Sequence, residues 1–330
     1  MRRLKTILVS LACIFFLLLC ILASITCGAR SVGFENIAGA LSGSDAHEAH
    51  VIAARIPRTV FGVLAGAALA VSGALMQAVT RNPIADPSIL GVNTGASLFV
   101  VCGIAFFHIN TGSQYIWLAF TGASATAVFV YGLASFGYGG ATPLKLALAG
   151  AAAGTALQSL VNTVMLPRTQ VMDQFRFWQT GSISGASWSD IRLILPYLAA
   201  GFILSLLLAP SLNTLALGDD TAAGLGLHVT RTRALAALAG VLLCAASTAL
   251  AGPIGFIGLM IPHLMRLLLG PDMRKILPLS AVGGSCLLLL ADVAGRILGR
   301  PGELESGIVT ALAGAPVFIL TIRKVKVRSL

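Results

Sequence analysis

Residues 59–79 read TVFGVLAGAALAVSGALMQAV, a stretch without one charged side chain. As an α-helix rising 1.5 Å per residue it covers about 30 Å, the thickness of a bilayer's hydrocarbon core. Gly62, Gly66 and Gly73 would weaken a soluble helix, whereas small residues let transmembrane helices approach closely. Cations bracket the stretch, with Arg55 and Arg58 before it and Arg81 after it. The segment reads as a membrane span.

Working outward, apolar segments recur at 91–109, 114–136, 144–166, 191–209, 234–251, 256–269, 277–299 and 306–323. Ahead of them, Thr6 to Ile25 follows Met1-Arg2-Arg3-Leu4-Lys5 and runs about 20 residues. That exceeds the roughly 7–15 of a signal-peptide core, so it too reads as a span. A lipoprotein site at Cys27 is disfavoured by Ile25-Thr26, where small residues are needed. The sum is an all-α polytopic membrane protein of about ten transmembrane helices, one transmembrane domain over 1–330. The eighth segment, after Gly252-Pro253-Ile254-Gly255 and containing Pro262, is too short to cross alone and predicts a broken or re-entrant helix buried in protein.

Composition agrees. Charged residues make up 10% and hydrophobic ones 57%, with mean hydropathy +0.91, against roughly 25% and 45–50% in soluble domains. The net charge of +10 comes from cations at the ends of apolar runs, which anionic headgroups and the positive-inside bias explain; nucleic-acid binding is not indicated. Every lysine (Lys5, Lys145, Lys275, Lys324, Lys326) falls on one side, the inside, with Arg2, Arg3, Arg81, Arg231, Arg233, Arg274, Arg323 and Arg328. Both termini are therefore expected in the cytoplasm. The outside holds Arg30, Arg55, Arg58, Arg168, Arg176, Arg192, Arg296 and Arg300, an arginine excess that needs its own cause. Six cysteines lie in or beside spans without a CxxC, which indicates neither a metal cluster nor a disulfide framework.

Several patterns carry more than hydropathy. No Gly-Lys pair exists, so there is no phosphate loop, and no HExxH; no catalytic, cofactor or metal set is expected. Asp86-Pro87 through Gly91 predicts one short helix, capped by Asp86 and stopped at Gly91. The loop 210–230 reads as two short helices hinged at Gly218, with Asp219 or Asp220 capping the second and Gly226 ending it. Its apolar residues, Leu217 and Ala222 among them, suit either a self-packed loop or docking to a cytoplasmic partner. Gly150, Gly154, Gln158 and Asn162 fall four apart on one face of the fifth span and suit helix packing or a pathway lining. Asp292 and Arg296 stand i,i+4 in the ninth span, a structural ion pair or a means of holding Arg296 at the outer mouth. Ala147–Ala151 and Ala311–Ala315 share Ala-Leu-Ala-Gly-Ala, consistent with a five-plus-five inverted repeat.

The ordered series Arg55-Ile56-Pro57-Arg58-Thr59, Gly73–Gln77, Asn82–Pro87, Leu90-Gly91-Val92, Leu217–Ala222, Gly252–His263 and Gly307–Pro316 resembles the FecCD permease family. The resemblance implies a type II ABC importer. In it two ten-helix permease subunits, as a homo- or heterodimer, meet a cytoplasmic ATPase dimer and an extracytoplasmic binding protein that delivers ferric siderophore, haem or cobalamin. It implies binding-protein docking by Arg55, Arg58 and Arg296, and ATPase coupling through Leu217, Gly218, Asp220, Ala222 and Gly226. It also implies a pathway along the fifth and tenth spans, including Gly150, Gly154, Gln158 and Asn162. Asp173–Ser182 most resembles the ferric-enterobactin branch, favouring a ferric siderophore as cargo. The loop Glu303-Leu304-Glu305-Ser306-Gly307 departs from the family's Glu-Leu-Pro-Val-Gly, and Asp220 stands where Glu is common. An ion-coupled secondary transporter is the alternative, with Asp292 the evident intramembrane carboxylate. An even number of spans and a basic tail place a reporter fused after Leu330 inside the cell; an external signal would break the ten-span topology.

Overall fold

A computed structural model describes residues 2–28, 47–137 and 141–324, with side chains from 6–28, 51–137 and 141–319. The expectations on Arg30 and on the basic residues of both tails lie outside the described side chains. The order is α1 (Arg2–Thr26), α2 (His47–Thr80), a 3₁₀ turn (Pro87–Leu90), α3 (Val92–Phe107), α4 (Gly112–Ser135) and α5 (Pro143–Met165). Then follow α6 (Thr169–Gln179), α7 (Trp188–Leu215), α8 (Asp219–Gly224), α9 (Val229–Ala251), α10 (Ile257–Leu269), α11 (Met273–Leu298) and α12 (Ser306–Lys324). Among the described residues, seven helices are long and apolar enough to cross a membrane, and three shorter apolar ones (α3, α10 and α12) stand at the other expected spans. The 13 residues of α10 reach about 20 Å and start from a non-helical entry, as the Gly-Pro sequence predicts.

Burial sorts the helices. Within its apolar window α2 is 83% buried, against 72% for α9, 67% for α11 and 6% for α1. α2 is thus the axis, packed on α9, α10 and α11, while α1 turns Leu8, Leu11, Phe15 and Leu18 outward. Side chains short enough for backbone contact make this possible. A Cβ on Gly66 would overlap the Gly284 carbonyl of α11, and one on Gly73 would overlap Gly258 of α10. Hydrogen bonds to backbone carbonyls add directional contacts at the same seams: Ser72 Oγ to Gly240 (2.6 Å), Ser285 Oγ to Val63 (2.7 Å) and Gln77 Nε2 to Gly258 (3.0 Å).

The two Ala-Leu-Ala-Gly-Ala copies have equivalent surroundings. Gly150 on α5 abuts the Ile89 carbonyl in the turn before α3, and Gly314 on α12 abuts Phe256 in the segment before α10. Both following helices start from a left-handed residue, Gly91 (φ 71°) and Phe256 (φ 68°). Each half of the chain therefore packs its fifth span on the entry to its third. The segment after α6 is tied to the second half by backbone hydrogen bonds, Ser182 N–H to the Ala251 carbonyl (2.7 Å) and Gly307 N–H to the Gly181 carbonyl (2.9 Å).

Three boundaries differ from the sequence reading. α2 begins at His47, not near 59, so Arg55, Pro57 and Arg58 lie on the helix. α7 continues through Pro210 to Leu215, so the first of the two short helices expected at 210–230 is the end of a span. Burial of Ala209, Leu212 and Leu215 holds that turn despite the proline. The outer loop after α5 contains α6, an unexpected helix that buries Val171 and Phe175.

Gly73→Val should lower the thermal unfolding midpoint of the detergent-solubilised protein, since overpacking a close contact costs about 1–3 kcal/mol. Gly132→Ala, where an added Cβ meets nothing within 4 Å, should be neutral or slightly stabilising. Equal midpoints for the two variants would contradict the axial role of α2.

Candidate functional site

At the end of the bundle where α1 stops, expected to be the outer one, the arginine excess has an internal use. The last carbonyls of any helix lack intrahelical partners. At the end of α1, Arg296 Nη1 donates to the Ser24 and Cys27 carbonyls (3.0 Å each), and Arg55 Nη1 to those of Ile25 (2.9 Å) and Thr26 (3.1 Å). Arg300 Nη2 donates to the Gly28 carbonyl at 2.6 Å. Cations here also oppose the negative end of the helix dipole. Asp292 neutralises the cluster. Its Oδ1 accepts from Arg58 Nη2 (2.7 Å) and Nε (3.0 Å), and its Oδ2 lies 2.8 Å from Arg296 Nη2. Arg58 Nη1 reaches Glu303 Oε2 at 2.8 Å, in the loop that departs from the family pattern.

This geometry corrects one expectation. Arg296, expected to face a partner, is 1% exposed, because its charge is consumed by Asp292 and the α1 terminus. Arg55 and Arg58 are half-buried, and Arg300 and Glu303 are exposed. The i,i+4 pair is real, yet it is one edge of a larger assembly joining α1, α2 and α11.

Along α5 the expected face divides. Gly150 is buried against Ile89, so the inner part is a helix contact and not a lining. Gly154 and Gln158 are half-buried, Asn162 is exposed, and Gln158 Nε2 donates to Asn162 Oδ1 at 3.3 Å. Thr155, Ser159 and Thr163 also project outward, each bonded to the carbonyl four residues back. That hydroxyl row, unremarked in the sequence, was legible as an i,i+4,i+8 pattern. A helix face of amides and hydroxyls is poorly suited to hydrocarbon and well suited to a polar passage or a protein contact.

At the opposite end of the bundle, Gly218 (φ 108°) turns the chain between α7 and α8, and Gly226 (φ 84°) ends α8. Gly218 itself occupies the cap position, so neither aspartate caps; both lie in the first turn, where negative charge suits the dipole. Ala222 is fully buried, whereas Leu217 and Leu225 are 60% and 65% exposed. Asp219 pairs with Arg233 Nη2 (2.8 Å) and with Arg81, while Asp220 is exposed. Nearby, Asn213 joins α7 to α11 by donating to Asp272 Oδ1 and accepting from Met273 N–H, both at 2.8 Å. Burial pushes the Asp272 carboxyl up, but the Asn213 amide, the Arg274 N–H and the charges of Lys275 and Arg274 outweigh it, holding it below its ordinary value. Its contribution is thus present above the unfolded value near 3.9 and is lost as pH falls through the lower folded value.

Removing the shared carboxylate strands buried cations. Asp292→Ala should cost about 3–5 kcal/mol, while Glu303→Gln, at the exposed rim, should cost no more than about 1 kcal/mol. Thermal unfolding in detergent compares them, and similar losses would contradict the central place of Asp292.

Known proteins align with the whole of this arrangement. The ferric enterobactin transport system permease protein FepD of Escherichia coli (strain K12) is 44% identical over 314 residues, 93% of each chain. The Fe(3+)-citrate import system permease protein YfmD of Bacillus subtilis (strain 168) is 46% identical over 270 residues, 82% of this chain and 80% of that one. A solved structure, described as an inward-facing conformation of a metal-chelate type ABC transporter, superposes with a TM-score of 0.82 at 25% identity. It covers 98% of this chain and 100% of its own. A family model described as the FecCD transport family matches residues 16–324, and the chain belongs to that family.

Proposed function

We propose that this chain is the membrane-spanning permease subunit of an ABC importer that carries ferric siderophore across the cytoplasmic membrane. Its two termini lie in the cytoplasm. Energy comes from a separate cytoplasmic ATPase dimer, since the sequence holds no phosphate loop. One observation carries the reading. α8 stands at the inner surface with a single buried side chain and exposed leucines at either end, an apolar surface that water does not favour and a partner covers. Leu217, Gly218, Asp220, Ala222 and Gly226 form this seat within the 210–230 loop.

The other faces fit the same work. A second permease subunit, identical or homologous, faces the polar side of α5, and Gly154, Gln158 and Asn162 line the passage between them. Amides and hydroxyls bond the rim of a large chelate without fixing a charge, and the chelate already supplies the ligands of its iron. Outside, an extracytoplasmic binding protein meets the rim formed by Arg55, Arg58 and Glu303, with Arg296 as the buried support beneath. FepD, named for ferric enterobactin, supports a siderophore cargo.

Uptake by cells lacking only this gene tests the cargo. Ferric enterobactin, ferric citrate, haemin, cobalamin and free iron are offered separately, and loss confined to the ferric chelates is the expected result. Selective loss of haemin or cobalamin uptake would overturn the cargo while leaving the importer class, and loss of free-iron uptake alone would overturn the chelate reading itself.

A further inference from the structure

A six-residue helix that buries only Ala222 has little packing of its own. A force on α8 reaches the spans through the chain that joins it to α7 and α9 and through the bonds that tie it down. One α8 side chain makes ion pairs outside its own loop. The Asp219 carboxylate accepts from Arg233 Nη2 at 2.8 Å and pairs with Arg81. Arg233 is 4% exposed in the first turns of α9, and Arg81 ends α2. These helices are the two most enclosed spans of the bundle. Arg81 also holds a left-handed backbone (φ 49°), unusual for a residue with a Cβ, which the pairing with Asp219 helps to fix.

We propose that Asp219, and not its neighbour Asp220, is the positioning residue that transmits movement of α8 to α2 and α9. The inference rests on α8 being the ATPase seat. The electrostatics support it. An ion pair between exposed groups contributes little, but a buried guanidinium holds its carboxylate firmly because separation leaves an uncompensated charge. Arg233 is such a group, so Asp219 moves with α9. Arg81 extends the same carboxylate to the axial helix, whose contacts reach α10 and α11. Asp220 is exposed and makes neither ion pair, although its charge also acts on Arg81, and it is placed to face the partner.

The test uses the transporter assembled with its ATPase and binding protein in proteoliposomes, reading uptake of radiolabelled ferric enterobactin and ATP hydrolysis together. Asp219→Asn should leave the ATPase bound and ATP hydrolysis near the original rate. Uptake per ATP should fall about tenfold, within the roughly 5–150-fold range of coupling between sites. Asp219→Glu should restore most of the ratio. Arg81→Gly, which suits the left-handed turn while deleting the cation, should lower the ratio also, and the two changes combined should fall short of the product of their effects. An unchanged ratio in Asp219→Asn would overturn the proposal. So would release of the ATPase by that variant, which would make Asp219 a docking contact. If the unaltered assembly shows no ATP-driven uptake, the importer reading fails first and this inference with it.

Discussion

Hydrocarbon offers no hydrogen bonds, and every polar group of this chain that enters it must find its partner within the protein. The arrangement at the end of α1 follows from that constraint. Four carbonyls there, from Ser24, Ile25, Thr26 and Cys27, are met by the guanidinium groups of Arg55 and Arg296. Cations drawn into the interior then need an anion, which Asp292 supplies to Arg58 and Arg296 together. What starts as a backbone requirement thereby joins α1 to α2 and α11.

The same constraint explains why small residues organise the centre. Between apolar helices in lipid, close contact and short polar bonds replace the hydrophobic drive that packs soluble bundles. Gly66 against Gly284 and Gly73 against Gly258 bring α2 into backbone contact with two neighbours, and Ser72, Gln77 and Ser285 bond across the seams. The repeated Ala-Leu-Ala-Gly-Ala sites apply the device once per half, at the entries to α3 and α10. A chain built on two such halves brings corresponding helices to corresponding places, which is how inverted-repeat transporters frame a passage.

Function then depends on the parts that the packing leaves unsatisfied. α5 exposes Thr155, Ser159, Asn162 and Thr163 among its leucines, whereas leucine, isoleucine and phenylalanine dominate the exposed face of α1. α8 exposes leucines at a surface that should be wet, while the outer rim is held by a charge network with one exposed carboxylate. The polar face of α5, the exposed leucines beside α8 and the charge network at the end of α1 lie on different parts of one bundle, whose buried axis is α2.

Hydropathy, length and the side preference of lysine were enough to read the spans, the short eighth helix and the hinge at Gly218. Those features depend on sums over neighbouring residues or on the φ preferences of single ones. The ordered motifs were enough to suggest the family. Tertiary structure decided the rest. It extended α2 past Arg55 and Arg58, carried α7 through Pro210, and set Gly150 against Ile89. It also turned Arg296 inward and selected Asp219 over Asp220. The sequence shows two adjacent aspartates with equal claims, and only the fold brings Arg81 and Arg233 to one of them. Arg58 and Asp292 stand 234 residues apart, so their pairing has no local signature. A helix's own periodicity says which side chains share a face, but which partner waits opposite depends on how distant helices pack.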